Sequence, residues 1–453
     1  MALSAKQMVI GLMVPMGMMI LNLVMFNVAL PTMRDTFALP ADLTAWLVTA
    51  YMLPFVTLMP LYGRLGDGLG KRRLLLIGVS IFSVGTVITL LSTDLRFLIV
   101  GRVIQGMGAA GVNPLCIAII SERFPAGERG KALGTWNSVG PIAAVIAPLL
   151  GGFLIDNLGW RMIFAPVLLA AVAALLAVKV LVPPAERSFV QPGFLRKLDW
   201  GGLLLMGAAI MMLLFYLSSR PITGVEPLQD WRLLAFTILL FTGFIYWERR
   251  RANPFVALDI FKYRGFSRAS IGAGIRMFTM SSIGFLVPLY LADIYGLNAV
   301  SIGIMIMFHA GALFATMRLG GQLADRWGSR WPVIAGSAVQ TAMMIYFALL
   351  PGSIWLGWVV TGLIAHGLGA GLSLAAMHRA AMGRISPKQT GVAAGLYSMF
   401  RFGGTALGTA LGGVILQYGL DQSLLTIQAY QLVFWFIAGV AFLGMIVGWG
   451  LRE

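Results

Sequence analysis

The chain has 453 residues, of which 59% are hydrophobic and 11% are charged, and its mean hydropathy is +0.87. Soluble globular domains carry about 25% charged residues, so this composition excludes a soluble domain and indicates an all-α polytopic membrane protein. The net charge of +16 does not indicate a nucleic-acid partner, because excess Lys and Arg in a membrane protein orient its loops. The single cysteine, Cys116, excludes a disulfide framework and a Cys-based metal site, and no cofactor or metal is expected.

Apolar runs predict fourteen membrane-spanning helices. The predicted spans are, in chain order, residues 8–30, 43–63, 74–92, 97–120, 132–155, 162–182, 200–218, 232–247, 267–291, 299–319, 332–350, 354–378, 390–417 and 429–451. The first run is longer than the apolar core of a signal peptide, so we interpret it as a retained helix. Basic linkers at 183–198 and 248–264 flank spans 7 and 8 and are expected to lie along the cytoplasmic surface.

Positive charge is distributed unequally between alternate loops. The loops on the side of the two termini carry basic clusters such as Lys71–Arg73 and Arg249–Arg251, whereas the opposite loops hold more acids than bases. The positive-inside rule therefore predicts that both termini are cytoplasmic, with the protein in a bacterial inner membrane. The opposite loops are short, so a periplasmic adaptor would be a separate protein.

Two related charged turns follow spans 2 and 10. They read Gly63-Arg64-Leu65-Gly66-Asp67-Gly68-Leu69-Gly70-Lys71-Arg72-Arg73-Leu74 and Gly320-Gly321-Gln322-Leu323-Ala324-Asp325-Arg326-Trp327-Gly328-Ser329-Arg330. In the first, Gly63 and Gly66 are expected to let helix ends approach, Asp67 to face a helix N-terminus, and Arg72 to hold the turn in the cytoplasm. The second carries the pair Asp325 and Arg326. A charged turn repeated once per half is typical of pseudo-symmetric transporters, so these residues are candidates for gating.

Both turns resemble the loop motif G-x-L-a-D-R-x-G-R-[KR] of the major facilitator superfamily, although Gly68 stands where that motif has Arg. Further segments resemble motifs of the same superfamily: Asn27–Pro31, Arg102–Gly108, Ala143–Gly152, Trp160–Phe164 and Arg401–Gly404. Since two extra helices separate the turns, the chain resembles the fourteen-spanner drug:proton antiporter family.

This resemblance implies a major facilitator fold with six-helix bundles at 1–182 and 266–453, and with linkers and two inserted helices at 183–265. It also implies export of small amphipathic molecules across the lipid bilayer by alternating access, coupled to protons.

No Asp or Glu lies well inside a predicted span. Five other ionisable side chains do: Arg102, Arg276, Arg401, His309 and His366. Each costs roughly 2.5–3.5 kcal/mol to insert and is a candidate for substrate binding or coupling. In the antiporter family the Arg matching Arg102 works near a protonatable Asp of span 1. Asn22 occupies that position here and cannot titrate.

Arg102 is followed at helical spacing by Gln105 and Asn113, which predicts one polar face directed at a cavity or another helix. The alternative is that Arg102 only bonds backbone carbonyls and holds spans 1 and 4 together. In span 1, Phe26 shares the face of Asn22 and is a candidate apolar contact for a substrate.

With no acid to neutralise it, Arg276 predicts a positive cavity that favours anionic, zwitterionic or neutral amphiphiles over lipophilic cations. Arg401 has Tyr397 one turn before it and glycines after it, so binding and packing roles both stay open. His309 and His366 titrate near neutral pH and could replace the missing carboxylate. The alternative for each is an interhelical hydrogen bond.

Small residues from Ala143 to Gly152 predict close packing of span 5 on a partner helix, with a bend at Pro148. The resemblance implies that this partner is span 10. This makes Pro148, Gly151 and Gly152 candidate gating residues, with ordinary small-residue packing as the alternative. Two other functions stay open: uncoupled or differently coupled transport of a specific anionic or lipid-like solute, and a non-transporting receptor of the same fold. An enzyme is not expected, because no nucleophile–base pair or metal cluster is visible.

Overall fold

A computed structural model describes residues 5–184, 199–218, 224–225 and 228–451, except for 252–253, 255, 257, 353, 384 and 386–389. Over these residues the protein is α-helical, with two short 3-10 helices at Trp160–Ile163 and Leu258–Lys262. The first eight α-helices are α1 (Ala5–Phe37), α2 (Ala41–Leu69), α3 (Lys71–Leu90), α4 (Leu95–Ala109), α5 (Val112–Arg123), α6 (Ala126–Asn137), α7 (Val139–Leu158) and α8 (Phe164–Leu181). The remaining described α-helices are α9 (Trp200–Ser218), α10 (Trp231–Arg250), α11 (Arg264–Tyr295), α12 (Ala299–Trp327), α13 (Arg330–Leu349), α14 (Leu356–Met382), α15 (Thr390–Asp421) and α16 (Thr426–Trp449).

Within the described residues, 13 spans are long and apolar enough to cross a membrane. The fourth span, Leu95–Arg123, combines α4 and α5, and the fifth, Lys131–Leu158, combines most of α6 with α7. The helix α10 has 20 residues and lies outside this set, because charged and aromatic residues at its ends lower its hydropathy. The chain is thus an integral membrane protein with the helices that the apolar runs predicted.

Both charged turns are shorter than the sequence predicted. The helix α2 continues through the charged segment to Leu69, and α3 begins at Lys71, so the turn is Gly70 alone, with φ of 90°. In the second turn α12 continues to Trp327, and Gly328 has φ of 79°. The predicted loops at 64–73 and 320–330 were therefore wrong, because charged side chains can extend from a helix end into the interface. The backbone angles of Gly70 and Gly328 favour glycine.

The first six spans meet the last six along three main helix pairs, α1 with α11, α2 with α15, and α7 with α12. Glycines at the contact let the backbones of α7 and α12 approach each other closely. A Cβ at Gly303 would overlap the backbone carbonyl of Pro148, and a Cβ at Gly152 would overlap the backbone at Ala299 and Val300. The pairing predicted between spans 5 and 10 is found here, as close backbone contact.

The inserted helices α9 and α10 pack on each other and cover one of these seams. Trp247 of α10 donates a hydrogen bond to Asp199, just before α9, at 2.8 Å. On its other side α9 contacts both α2 and α15, and the rings of Trp46 and Phe215 lie 5.3 Å apart. Of the two predicted linkers, residues 185–198 lie outside the described part, while 258–262 form the second 3-10 helix.

We call the end of the bundle that holds Gly70 and Gly328 the basic end, because the clusters Lys71–Arg73 and Arg249–Arg251 lie there. The other end is the opposite end, where α1 ends and α2 begins.

Candidate functional site

Arg102 is fully buried on α4, and its guanidinium lies between two aromatic rings. Its Cζ is 3.8 Å from the ring centroid of Phe26 and 4.4 Å from that of Tyr51. Nε donates to the backbone carbonyl of Leu47 at 3.2 Å, and Nη1 donates to Oε1 of Gln105 at 3.1 Å. Nη2 is buried without a hydrogen-bond partner. Arg102 therefore joins α1, α2 and α4 and keeps one donor available.

Asn22 and Tyr51 lie beside this guanidinium as a second polar group. Both side chains are buried, and the two face each other without hydrogen-bond geometry. The Asn22 amide atoms and the Tyr51 hydroxyl have no hydrogen-bond partner in the described structure. Leaving a buried polar group unpaired costs about 1–3 kcal/mol, so these atoms are suited to bind a polar group that enters the site.

The residues of the polar stripe predicted along span 4 lie on two helices, α4 and α5. Gln105 donates to the hydroxyls of Thr86 and Thr89 on α3, at 3.0 and 3.3 Å. Asn113 is buried on α5, beyond the break between the two helices, where Gly111 packs closely against the ring of Tyr62. Ala110 and Gly111 at this break keep right-handed helical backbone angles, and Arg102, Gln105 and Asn113 are all buried. That the three share one face stays a prediction.

A second cationic group lies in the last six spans. Arg276 of α11 is buried, and its Nε donates to the carbonyl of Ala370 on α14 at 3.1 Å. Arg401 of α15 is close enough to interact electrostatically with Arg276. The Arg401 Nε is buried without a hydrogen-bond partner, and its Cζ lies 6.0 Å from the ring of Tyr397 and 5.5 Å from that of Phe402. No acid is paired with either guanidinium in the described residues, so the group is positive.

Aromatic rings connect the two cationic groups across the seam of α2 and α15. Tyr51 stacks on Phe55 with ring centroids 5.5 Å apart. Phe55 meets Phe402 edge to face at 4.8 Å. We call the series Arg102, Tyr51, Phe55, Phe402 and Arg401 the cation–aromatic chain. Its rings are buried against one another, and a guanidinium lies at each end of the series.

His309 and His366 lie in direct contact rather than separately. Nε2 of His309 is 3.0 Å from Nδ1 of His366, and Nε2 of His366 is 3.4 Å from Nε2 of Gln340. This buried series connects α12, α14 and α13, and it lies within electrostatic range of Arg276. The geometry is that of an interhelical hydrogen bond, and it also gives a proton two adjacent imidazoles.

Of the predicted gating residues of span 5, Pro148 and Gly152 lie on the seam with α12, whereas Gly151 faces α1. The backbone carbonyl of Pro148 packs on Gly303. An ideal Cβ built on Gly151 would lie 3.3 Å from Met25 of α1. At the end of α7, Asp156 accepts hydrogen bonds from the backbone N–H groups of Ala299 and Val300, at 3.0 and 2.8 Å. The carboxylate thereby caps the start of α12, so α7 and α12 are joined at the opposite end.

At the basic end, Arg72 donates to the carbonyls of Val178 and Lys179, at 3.4 and 2.6 Å, and so bonds the last turn of α8. In the second turn, Oδ1 of Asp325 lies 3.4 Å from Nε of Arg379 on α14. Arg326 is exposed.

The glycines of the first turn differ in their packing. An ideal Cβ at Gly63 would lie 4.0 Å from Pro114, an ordinary contact, so the close approach predicted there was wrong. At Gly66 the same construction meets the side chain of Leu115 at 2.5 Å. The side chain of Asp67 lies outside the described residues.

A family model described as the Major Facilitator Superfamily matches residues 12–267 and 269–453. The chain belongs to this superfamily. Multidrug resistance protein Stp of Mycobacterium tuberculosis (strain CDC 1551 / Oshkosh) is 30% identical over 412 residues, which cover 90% of this chain and 75% of that protein. Riboflavin transporter RibZ of Clostridioides difficile (strain 630) is 27% identical over 437 residues, covering 93% and 92%.

Among solved structures, a bacterial homolog of the human lysosomal transporter Spinster, in an inward-facing and unoccupied conformation, superimposes with a TM-score of 0.68. The superposition covers 99% of each chain, and the two sequences are 17% identical. This similarity shows the fold alone. The protein is therefore a membrane-embedded transporter of the major facilitator fold.

Sequence reasoning missed several residues of this site. Tyr51 and Phe55 gave no signal because aromatic residues are common in apolar spans. Gln340 and Asp156 were also not identified. An ion pair between Arg34 and Asp293 could have been found, because these opposite charges end the first span of each predicted bundle.

Proposed function

We propose that this facilitator exports neutral or anionic amphipathic small molecules across a bacterial inner membrane by alternating access, with its basic end in the cytoplasm. The observation that supports this most strongly is the cation–aromatic chain, which runs between the two halves without a paired acid. Tyr51, Phe55 and Phe402 offer faces and edges to an apolar ring. The guanidiniums of Arg102 and Arg401 offer donors to a negative or polar group.

The sign of the interior charge decides which substrates are favoured. Two unit charges about 4 Å apart interact by roughly 4 kcal/mol at an effective dielectric constant of 20. Arg102, Arg276 and Arg401 are not paired with acids in the part of the chain that the structure describes. A lipophilic cation entering this region is therefore repelled, and an anion or a neutral amphiphile is not.

Two contacts link the first six spans to the last six at the opposite end. At the opposite end Asp156 bonds the start of α12, and Arg34 pairs with Asp293. The excess of basic loops at the other end supports a cytoplasmic location for that end. A substrate for export would then enter from the cytoplasm. The name of the relative Stp, a multidrug resistance protein, supports export of drug-like molecules.

The energy source in this proposal is proton antiport, with His309 and His366 as the carriers. Their contact at 3.0 Å gives one proton two binding atoms in the last six spans. A second candidate function is uncoupled transport of a specific anionic or lipid-like solute. Asn22 favours that alternative, because it cannot titrate at the position where the antiporter family has a protonatable Asp.

Inverted membrane vesicles with an imposed pH gradient test this function. A panel of lipophilic cations, anions and neutral compounds is added to vesicles with and without the protein. We expect anionic or neutral compounds to collapse the gradient only when the protein is present, and Arg276→Ala to abolish this effect. Arg232→Ala, which removes an exposed charge at the start of α10, is the matched control and should behave as the unmodified protein. Transport of lipophilic cations alone would contradict the proposal, and substrate movement without proton flux would support the uncoupled alternative.

A further inference from the structure

A cavity of about 860 Å³ opens at the basic end, away from the cation–aromatic chain. It lies where α11 and α13 begin and where α14 and α16 end. Its described lining contains five basic side chains and no acidic one: Lys262, Arg264, Arg268, Arg330 and Arg379. We call it the basic cavity. The proposed transport site does not include it, and of the second charged turn only Arg330 lines it.

The charge of the basic cavity is only partly neutralised by nearby acids. Lys262 pairs with Asp259 at 2.5 Å, and Arg379 lies 3.4 Å from Asp325. Within the described structure no acid is paired with the other three bases, Arg264, Arg268 and Arg330. Arg268 donates a hydrogen bond to the carbonyl of Gly450. The cavity therefore keeps a net positive charge.

Arg330 is positioned by aromatic contacts that leave a donor unused. Its Cζ lies 4.3 Å from the ring centroid of Trp449 and 5.4 Å from that of Trp331. Its Nε is buried and has no hydrogen-bond partner. A guanidinium that stacks by its face still presents N–H donors at its edge. A buried donor of this kind lacks an acceptor, and an anion in the cavity would supply one.

Backbone groups add to the positive potential. Helix α11 begins at Arg264 and α13 at Arg330, and neither start has a side-chain cap. The first N–H groups of a helix have no intrahelical acceptor, and the helix dipole is positive there. Gly265 and Phe266, in the first turn of α11, line the cavity. Two helix starts and three guanidiniums that have no acidic partner in the described structure together form an environment suited to phosphate.

An apolar cleft beside the basic cavity indicates the source of the anion. It has a volume of about 600 Å³ and is lined by Leu323, Trp327, Trp331, Pro332, Ala335 and Leu372. Trp331 follows Arg330 directly in the chain, and its ring meets that of Trp449 at 6.3 Å. A free phosphate ion has no apolar part that would fill this cleft, whereas an acyl chain fits it. Tryptophans at such a position are typical of the headgroup level of a bilayer.

We propose that the basic cavity binds the phosphate of an anionic phospholipid, with one acyl chain in the apolar cleft. The site is independent of the transported substrate. In a membrane oriented by the basic loops, it takes its lipid from the cytoplasmic leaflet. Arg268, Arg330 and the first turn of α11 contact the phosphate, and Trp331 separates the headgroup from the chain.

Native mass spectrometry of the full-length protein in detergent, titrated with lipid, tests the proposal. We expect phosphatidylglycerol to bind at least about tenfold more tightly than phosphatidylcholine, a difference of 1.4 kcal/mol. The double variant Arg268→Ala, Arg330→Ala should lose this preference. The control variant Arg96→Ala, Arg232→Ala removes the same charge at exposed positions of the opposite end and should keep it.

Two further measurements prevent an ambiguous result. If the double variant unfolds, the single variant Arg264→Ala replaces it, since Arg264 is exposed, and a several-fold loss is expected. Inorganic phosphate is added as a competitor. Weak competition supports a lipid site, whereas saturation by millimolar phosphate would assign the cavity to a free anion and overturn the lipid proposal. Equal binding of the two lipids, or equal binding by the double and control variants, would also overturn it.

Discussion

Arg34 of α1 and Asp293 of α11 form a two-point ion pair between the two halves of the protein. Nη1 donates to Oδ2 at 2.8 Å, and Nη2 donates to Oδ1 at 2.6 Å. Tyr430 of α16 donates its hydroxyl to the same carboxylate at 2.6 Å. Side-chain exposure is 20% for each member of the pair, so water screens it only partly. Paired hydrogen bonds of this kind are stronger than single ones, and this network joins the two halves at the opposite end.

The first prediction concerns this ion pair. Asp293→Asn keeps the shape of the side chain and removes its charge. Hydrogen bonds to charged groups contribute about 1.5–3 kcal/mol, so the ratio of closed to open states should fall by roughly 10- to 150-fold. Spin labels at Thr93 and Gln422, both exposed near the opposite end, should show a longer distance population by double electron–electron resonance.

The matched control is Glu122→Gln, which breaks the ion pair of Lys71 and Glu122 within the first half. It should leave the distance between the labels unchanged. If Asp293→Asn also leaves that distance unchanged, the ion pair does not hold the opposite end closed.

The second prediction concerns the seam of α7 and α12. Gly303→Val places side-chain atoms where the carbonyl of Pro148 lies. Such overpacking costs typically about 1–3 kcal/mol, so the melting temperature in detergent should fall and transport should be reduced. Gly311→Val changes the same helix where an ideal Cβ meets no atom within 4 Å, and it should melt as the unmodified protein does. Equal melting of both variants would contradict close packing at Gly303.

The third prediction concerns the histidine contact. His366→Leu leaves the buried Nε2 of His309 without its partner. His309→Leu leaves Nδ1 of His366 without its partner. In a double-mutant cycle the two substitutions should be less than additive, with an interaction energy of about 0.5–3 kcal/mol. Denaturant unfolding of the four proteins measures it. Strict additivity would mean that the two rings do not stabilise each other.

The fourth prediction concerns Asn22. Asn22→Asp places a carboxylate that faces Tyr51, beside the Arg102 guanidinium whose Nη2 lacks a partner. Asp adds one titratable group beside the Arg102 guanidinium, where Asn has none, so the proton flux per substrate should increase. Flux is measured with a pH-sensitive dye in proteoliposomes. Asn27→Asp, on the same helix but packed against Gly284, should not increase it. An equal increase in both variants would mean that Arg102 is not involved.

Much of the fold could be predicted from the sequence because apolar length alone decides which segments cross a membrane. Gly70 and Gly328 end their helices inside the two turn motifs, although the predicted spans ended several residues earlier. Helix limits were less predictable. Charged residues such as Arg64 were assigned to a loop, although they continue α2, since hydropathy does not distinguish a helix end at the interface from a turn.

The candidate site was only partly predictable. Single polar residues in apolar spans, such as Arg102 and Arg276, stand out in a sequence because burying them is costly. Their partners do not. Tyr51 and Phe402 are ordinary members of apolar spans, and Asp293 was placed just beyond the predicted end of its helix. Contacts between residues far apart in the chain, such as that of Phe55 with Phe402, depend on how the helices pack.

The central claim is that the unpaired guanidiniums select the charge of the substrate. Its most direct test is transport, in proteoliposomes, of two amphiphiles with the same apolar body, one anionic and one cationic. We predict that the anion is transported at least about tenfold faster, and that Arg276→Ala with Arg401→Ala reduces this ratio toward one. Faster transport of the cation, or a ratio unchanged by the two substitutions, would contradict the account.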